Sequence, residues 1–324
     1  MGSNVGDPLS GLPRLGVGLS FQDTLSDFVR EHLNAFDYLE IVPDSLWDDR
    51  GRGARPRYEE KSPSLDFLRF VAEQKPIVGH SIGLSIGTAE GIDPEHVEQI
   101  AAWQERYRFP WHSDHLSFNR SEHASGHSID VGFTMPVPYD SAVLDLLAEK
   151  VEYMQEQVPA PFLLENNVYY FRIPEQEMGE AEFLRRLGER TGCGLLLDLH
   201  NVHVNARNHG FDPRAFLEDF DLSRVVEMHI AGGLSVDDFY LDAHSGPCPE
   251  EVWDLLDWIL PRVPNLCGVT FEVFATYYPK MGPERLLEEL CRAREATADF
   301  FGAAATAGVA APVSDDAARA SSPT

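Results

Sequence analysis

The sequence predicts an α/β fold, a single (β/α)8 TIM barrel in which eight parallel strands alternate with helices. Short apolar runs alternate with amphipathic stretches along the chain, no linker interrupts this alternation, and polar side chains recur where the apolar runs end. The length of 324 residues would also suit two domains, but a barrel of this class commonly takes roughly 250 residues as one unit. We expect a flexible N-terminus over 1–13, the barrel over 14–301 and a disordered tail over 302–324.

Eight segments have the length and apolar character of strands that are buried in a parallel sheet. In chain order they are Leu15–Ser20, Tyr38–Val42, Ile77–Ser81, Trp111–Ser117, Phe162–Glu165, Gly194–Asp198, Val225–Ala231 and Val269–Phe274.

The segments between the strands carry helix signals. Ser62-Pro63 and Asp93-Pro94 each place a proline directly after a capping residue, and Asp140–Gln157 has its apolar side chains on one face. The predicted helices are Asp23–Phe36, Ser62–Gln74, Asp93–Tyr107, Asp140–Gln157, Glu180–Arg190, Pro213–Phe220, Pro249–Leu260 and Glu284–Phe300. Two stretches are predicted as polar loops: Phe118–Pro138, long enough to indicate a function, and the segment that follows Asp198.

Charge and composition argue against several partners. The chain has 26 Lys and Arg residues against 53 Asp and Glu residues, a formal net charge of −27, and such a field repels nucleic acid and anionic lipid. No apolar run approaches the ~20 residues that span a bilayer, and the N-terminus lacks the apolar core of a signal peptide. The four cysteines lack CxxC spacing, which predicts free thiols. We therefore expect a cytoplasmic protein that binds neither nucleic acid nor membrane.

Metal-capable side chains follow six consecutive predicted strands, the third to the eighth. In a barrel the C-terminal strand ends and the loops after them converge on one mouth. The candidate ligands are His80, His115, Glu165, Asp198, Asn201, His229, Asp242, His244 and Glu272. Crowded carboxylates repel one another and take up protons unless a cation compensates them. Mixed imidazole and carboxylate ligation without cysteine suits iron, manganese or zinc in a cluster of two or three ions.

Four further residues are candidates for supporting these ligands. Asp114 precedes His115, Glu40 ends the second strand on the same rim, and His200 and His203 follow Asp198. If the sixth strand continued, alternation would point His200 the same way as Asp198, which would make His200 a supporting residue or an alternative ligand.

The motifs HSIGLSIG, SDHLS, LLENN, LLDLHNVHVNARNHGFDP, MHIAGG and DAHSGP, followed by Glu272, resemble those of the multinuclear non-haem iron-dependent oxidative enzymes. That family was long catalogued as a domain of unknown function and includes the methanobactin-biosynthesis enzyme. The resemblance runs from about Leu15 to Arg294 and implies a xylose-isomerase-like TIM barrel. It also implies two or three Fe ions in mixed Fe(II)/Fe(III) states, with O2 as co-substrate. The implied substrate is a ribosomally made precursor peptide, modified most often at cysteine, and a partner protein would bind the leader segment of that precursor.

The resemblance also implies how the ligands are shared among the irons. One iron would be held by His80, His115 and Glu165. A second would be held by Asp198, His229 and Glu272, with Glu165 bridging, and the third set would be Asn201, Asp242 and His244, with Asp198 shared. His200 and His203 depart from the pattern, because relatives often carry Asn and an aromatic residue there.

Two other classes of protein stay open at this point. One is a metal-dependent hydrolase or isomerase of the xylose-isomerase-like barrel group, which includes endonuclease IV with its trinuclear zinc and also places His, Asp and Glu at strand ends. The negative charge argues against its DNA-cleaving member. The other is a non-catalytic metal-binding or interaction protein, which would bind metal without consuming O2.

Overall fold

The computed structural model describes residues 9–122 and 128–302 of the chain. The strands of this part are β1 Gly16–Ser20, β2 Tyr38–Ile41, β3 Trp47–Asp49, β4 Tyr58–Glu60, β5 Ile77–Ser81, β6 His112–His115, β7 Ser117–Glu122, β8 Ser128–Pro136, β9 Phe162–Glu165, β10 Gly194–Asp198, β11 Val225–Ala231, β12 Leu234–Val236, β13 Phe239–Leu241 and β14 Gly268–Glu272. The helices are α1 Ser26–Glu31, α2 Ser62–Ala72, α3 Pro94–Tyr107, α4 Ser141–Gln157, α5 Glu180–Thr191, α6 Leu199–His209, α7 Pro213–Glu218, α8 Glu250–Ile259 and α9 Tyr278–Phe301.

Eight of the strands close into a barrel of parallel strands, in the order β1, β2, β5, β6, β9, β10, β11, β14 and back to β1. Each barrel strand corresponds to one of the eight predicted strands, so the predicted TIM barrel is confirmed. The other strands form three two-stranded antiparallel ribbons, β3–β4, β7–β8 and β12–β13.

Tyr38 lies across the lower interior of the barrel because two neighbouring positions are glycine. A Cβ atom at Gly18 or at Gly268 would stand 2.4 Å from the Tyr38 side chain, closer than any real contact allows. The Tyr38 hydroxyl donates to Glu227 (2.9 Å), which also accepts from the indole N–H of Trp111 (2.6 Å). These side chains pack into a buried layer at the N-terminal end of the strands. The interior is therefore filled below the mouth.

Leu9 belongs to this same buried layer, with 4% of its surface exposed. Residues 9–13 of the predicted flexible terminus are thus partly held by packing. Residues 1–8 lie outside the described part, as does the predicted tail except for Gly302. The division into terminus, barrel and tail stays a prediction. In the described residues, no helix combines the length and the apolar character that a membrane span requires.

Of the two predicted helix caps, the one at Asp93 is confirmed. The predicted cap at Ser62 is wrong, because Ser62 is the first residue of α2 and no side chain in the described part of the chain caps that helix. The Asp93 side chain accepts from the N–H of Glu95, with Pro94 as the first residue of α3, and Asp140 accepts from the N–H of Val143 at the start of α4. These side chains satisfy backbone donors that have no partner within the helix. The apolar faces of the helices pack around the barrel in one large core.

Three further predictions of local structure are wrong. The segment 118–138 is mainly the antiparallel ribbon β7–β8, apart from residues 123–127, which lie outside the described part. The segment after Asp198 is helix α6, whose first turn Asp198 caps by accepting from the N–H of Asn201 at 2.7 Å. The predicted helix Asp23–Phe36 is broken into α1 and short 3-10 turns, since His32 leaves helical geometry.

The remaining differences concern element ends. The fourth barrel strand ends at His115 rather than Ser117. The last helix starts at Tyr278 and is kinked at Gly282, whose φ of 78° interrupts the helix before Pro283.

Candidate metal centre

The ends of six barrel strands deliver polar side chains to one interior layer just below the mouth. Alternation along a strand sends every second residue inward, and the parallel register sets His115 beside Glu165 and Asp198 beside His229. The residues in this layer are His80 on β5, His115 on β6, Glu165 on β9, Asp198 on β10, His229 on β11 and Glu272 on β14. Asp242 and His244 enter from the loop after β13.

Glu165 is the centre of a first group. Its Oε2 atom lies 3.4 Å from Nε2 of His80 and 3.1 Å from Nε2 of His115. One ligand atom from each of these three side chains lies within 4.8 Å of the other two. This is the grouping that the resemblance implied for one iron.

A second group lies around His229. Its Nδ1 atom is 3.0 Å from Oε2 of Glu272, and one ligand atom each from Glu165, Asp198 and His229 lie within 4.8 Å of one another. Glu165 therefore belongs to both groups, and its role as a bridging ligand stays a prediction.

The third group differs from the expected set. Oδ1 of Asp242 lies 2.9 Å from Nδ1 of His200 and 2.8 Å from Nε2 of His244, so an imidazole from α6 completes this group. The argument from strand alternation for His200 is wrong, because β10 ends at Asp198 and His200 lies in a helix. The Asn201 amide nitrogen donates to Glu165 Oε1 at 3.1 Å. Its Oδ1 atom is buried without a hydrogen bond within the described part of the chain, so Asn201 stays a predicted ligand.

The geometry of these atoms fits bound cations. Two ligands of one ion, each about 2.1 Å from it, are about 3.0 to 3.4 Å apart. The imidazole–carboxylate distances in the first two groups are 3.0–3.4 Å, and those from Asp242 in the third group are shorter, at 2.8 and 2.9 Å. Three of the atoms involved, Glu165 Oε2, His229 Nδ1 and His244 Nε2, are buried and have no hydrogen bond within the described part of the chain. A shared cation would satisfy such buried polar atoms.

The electrostatics of the layer support the same interpretation. Burial raises the pKa of the Glu165 carboxyl well above its usual range; the charge of His229 lowers this pKa, and the negative charges of Asp198 and Glu272 raise it. Burial and Asp242 raise the pKa of Asp198 to about 6. A bound cation would remove this cost of ionisation.

The two imidazoles of the first group are already in the form that binds metal. Burial lowers the pKa of His115 to about 4 and that of His80 well below its usual range, and His115 and His229 push the pKa of His80 lower still. Both rings are therefore neutral at physiological pH, and neutral imidazole is the metal ligand.

Two buried acids hold the ligands in place. Glu40 lies 2.9 Å from Nε2 of His229. One ligand atom each from Glu40, His229 and Glu272 lies within 4.8 Å of the other two. Glu40 contacts Nε2 of the His229 ring, however, and Glu272 contacts Nδ1. Glu40 therefore supports the imidazole at the nitrogen that faces away from Glu272. Asp114 accepts from the backbone N–H groups of His115 (2.6 Å) and Leu84 (3.2 Å), so it fixes the strand end and the loop after β5.

His203 is near the third group but does not join it. Its ring centroid is 6.5 Å from that of His200 and 5.3 Å from that of Tyr240, and the His203 and Tyr240 rings are nearly perpendicular. Burial lowers the pKa of His203 to about 4. His203 therefore lines the site and is not one of the grouped candidate ligands.

Sequence reasoning missed two supporting residues. The hydroxyl of Ser113 lies 2.9 Å from Nδ1 of His80. The Asn166 side chain accepts a hydrogen bond from the N–H of Asp198 (2.8 Å) and donates one to the C=O of Asp198 (3.0 Å). Ser113 is two residues before His115, so strand alternation alone would have placed it on the inner face. Asn166 gave no comparable signal, because its partner lies on another strand.

A parallel barrel with overlapping groups of His, Asp and Glu at its mouth defines a TIM-barrel enzyme whose candidate active site is a metal centre. Residues 16–298 match the family described as the RiPP precursor modification enzyme MbnB/TglH/ChrH. The chain belongs to this family, which confirms the family predicted from the motifs, and the members of that family modify precursors of ribosomally made peptides.

Curated relatives agree with this placement. A UPF0276 protein of Rhizorhabdus wittichii is 33% identical over 229 residues, 71% of this chain and 76% of that protein. A UPF0276 protein of Neisseria meningitidis serogroup B is 31% identical over 254 residues, 77% and 85% of the two chains.

Among solved structures, endonuclease IV from Thermus thermophilus superposes with a TM-score of 0.52 at 18% identity, covering 89% of this chain and all of that one. A D-psicose 3-epimerase superposes with a TM-score of 0.51 at 10% identity, covering 89% and 99%. At these identities the likeness shows the fold alone.

Proposed function

We propose that this enzyme uses a cluster of two or three irons and O2 to modify a ribosomally synthesised precursor peptide oxidatively at a cysteine residue. The single observation that carries the proposal is the sharing of ligands between groups. Glu165 belongs to the groups around His80 and His229, and Asp198 belongs to groups that contain His229 and His244. Shared carboxylates are what closely spaced ions need.

The donor set is compatible with iron, and the family resemblance selects iron among the possible metals. Each group combines imidazole nitrogen with carboxylate oxygen, and cysteine is absent from all of them. Such mixed ligation suits iron, manganese or catalytic zinc, and it lacks the thiolates of structural zinc sites. Bound iron would supply both O2 activation and a Lewis-acidic position for a substrate thiolate. The family's action on peptide precursors supplies the substrate class.

The protein's own residues would orient the ligands and exclude water. Glu40 fixes the tautomer of His229, Asn201 orients Glu165, and Ser113 orients His80. The packed layer of Tyr38 and its neighbours closes the barrel below, so a substrate side chain would approach from the mouth. Fixed ligands and a closed floor are what preorganisation requires.

The proposal includes the setting of the reaction. A second protein would bind the leader segment of the precursor, as the resemblance implies. All four cysteines are free, which fits the reducing cytoplasm.

The test starts with protein that is produced with iron-57 and purified without oxygen. Elemental analysis and a Mössbauer spectrum would give metal identity, number and oxidation state, and oxygen-electrode traces would follow O2 uptake with synthetic cysteine peptides and their serine counterparts. We expect two or three irons per chain and O2 uptake that depends on cysteine. The Glu165→Gln variant should lose iron and activity, while Glu98→Gln, on the exposed face of α3, should keep both.

Zinc or manganese alone, with no activity on adding iron, would overturn the proposal. That result would favour a metal-dependent hydrolase or isomerase on the same barrel.

A further inference from the structure

The ribbon β12–β13 exposes an apolar face at the mouth of the barrel. The antiparallel register pairs Leu234 with Leu241 and Val236 with Phe239, so alternation places these four side chains on one face. Leu234, Val236 and Phe239 are 40%, 44% and 48% exposed. A contiguous group of exposed apolar side chains marks a binding surface, whereas single exposed apolar side chains are ordinary.

The same face borders a cavity of about 360 Å³. Its lining residues are Tyr170, Val236, Asp237, Asp238, Phe239 and Leu241. The walls are mostly aromatic and aliphatic, and the two aspartates at the turn of the ribbon provide negative charge at one side. A cavity of this size accepts one large apolar side chain, and its charged side favours a basic neighbour.

Helix α6 holds the ribbon at one edge and on its other face. The Asn208 side chain of α6 pairs with both the N–H and the C=O of Tyr240 (2.9 and 2.8 Å), and the guanidinium of Arg207 lies 4.5 Å from the ring centroid of Tyr240. One edge of the ribbon is therefore occupied. Ser235 on β12 lies opposite Tyr240. Because the backbone groups of Tyr240 point outward from β13, those of Ser235 point outward from β12, at the other edge of the ribbon.

Two residues of the cavity lining are attached to a candidate metal ligand, Asp242, one through the chain and one through a hydrogen bond. Leu241 in its lining directly precedes Asp242, which contacts His200 and His244. The Tyr170 hydroxyl, also in the lining, accepts a hydrogen bond from the N–H of Asp242 at 3.0 Å. A ligand in the cavity would thus lie beside one of the candidate metal ligands.

We propose that this ribbon and cavity bind an extended segment of the peptide substrate close to the residue that is modified. The segment adds alongside β12, places one large apolar side chain against Val236, Phe239 and Tyr170, and sets a Lys or Arg against the two turn aspartates. Strand addition supplies affinity through the backbone and the cavity supplies sequence preference. This inference rests on the proposed function, because it takes the substrate to be a peptide.

The charge of the chain supports a basic peptide as the occupant. The net charge of −27 attracts cationic segments over long range, and Asp237 and Asp238 concentrate negative charge at the cavity itself. An acidic or uniformly polar segment would gain neither the apolar contact nor the attraction.

The test uses the full-length, iron-loaded protein and a displayed library of random twelve-residue peptides under anaerobic conditions. Selected peptides should share one large apolar residue next to Lys or Arg. A labelled selected peptide is then titrated, by fluorescence anisotropy, into wild type, Phe239→Ser, Val236→Ser and Phe133→Ser. Phe133 is a matched control, since it is 57% exposed on the separate ribbon β7–β8.

We expect Phe239→Ser and Val236→Ser to weaken binding about tenfold or more, and Phe133→Ser to leave it within about twofold. The double variant Asp237→Asn and Asp238→Asn should weaken binding of the basic peptide and flatten its dependence on salt. Asn suits position 237, where φ is 51°.

Selected peptides without an apolar residue, or unchanged affinity in Phe239→Ser, would overturn the inference. Elemental analysis of each variant separates this failure from that of the proposed function. Peptide binding that survives Phe239→Ser in an iron enzyme refutes the docking site alone, whereas absence of iron or of O2 uptake refutes the function while the binding result still stands.

Discussion

The Nε2 atom of His229 lies 2.9 Å from the Oε2 atom of Glu40, and both side chains are completely buried. The two residues are 189 positions apart in the chain. A proton on Nε2 that is shared with Glu40 leaves Nδ1, on the Glu272 side, free to bind a cation. This contact places Glu40 to set the tautomer and the basicity of a candidate ligand.

The Glu40→Gln variant should weaken metal binding without unfolding the barrel. Loss of a carboxylate partner behind a ligating imidazole costs about 10- to 100-fold in metal affinity or activity. Competition with a fluorescent chelator measures the affinity, and the Mössbauer isomer shift of bound iron-57 should change as well. Glu98→Gln serves as the control, and an isomer shift identical to that of wild type would contradict the assigned role of Glu40.

Removal of metal should destabilise the protein. A ligand that binds only the folded chain stabilises it by about 4 kcal/mol at 1,000 times its Kd, and removal also restores repulsion between Glu165, Asp198 and Glu272. Calorimetry before and after chelation should show a clear fall in Tm. The Glu165→Ala variant, which lacks the shared carboxylate, should show a smaller fall; equal shifts in both proteins would argue against bridging by Glu165.

Arg57 is predicted to be a strong stabilising contact outside the metal centre. Its guanidinium is buried and lies 2.8–2.9 Å from the carboxylates of Asp49, Asp93 and Glu95. Arg57→Ala removes the buried cation that pairs with Asp93, a carboxylate whose other ion pair in the described part of the chain is with the exposed Arg52, and should lower the free energy of unfolding by about 3 kcal/mol. Arg50→Ala is the control, because its exposed pair with Glu59 at 4.0 Å should contribute less than about 1 kcal/mol. Urea titration measures both, and equal losses would refute the distinction.

Glu180 should make stability depend on pH. Burial raises the pKa of this carboxyl from 4.5 to about 8, and the Tyr139 hydroxyl offsets only part of the rise. Folding therefore takes up a proton between these values, so stability is full below about pH 4.5 and falls as the pH rises through about 8.

The Glu180→Gln variant tests this dependence, because the amide is neutral at every pH. Its stability relative to wild type should rise by up to about 1.4 kcal/mol per pH unit between about pH 5 and pH 8. Urea titrations at several pH values in that window give the difference. Glu182 is half-exposed on the same helix, and the free energy of unfolding of Glu182→Gln should vary with pH as that of wild type does. If the free energy of unfolding of Glu180→Gln also varied with pH as in wild type, Glu180 would be ionised in the folded state.

The local elements followed from the sequence where one signal dominated. The alternation of apolar runs with helix signals predicted eight strands, and the convergence of strand ends predicted that His80, Glu165 and His229 lie at one mouth. Helix α6 was not predicted from the sequence, because its His and Asn residues have low helix propensity. Its stability comes from burial of most of its side chains and from the Asp198 cap.

The sequence by itself determined which residue types reach the mouth of the barrel, because strand period and strand end are local properties. Only the tertiary structure decided which of them meet. His200 joins Asp242 through a helix that begins at Leu199, Asn201 turns to Glu165, and Glu40 reaches His229 across the closed sheet. These contacts depend on the register between distant strands and on barrel closure, and no local pattern in the chain encodes the distance between two such residues.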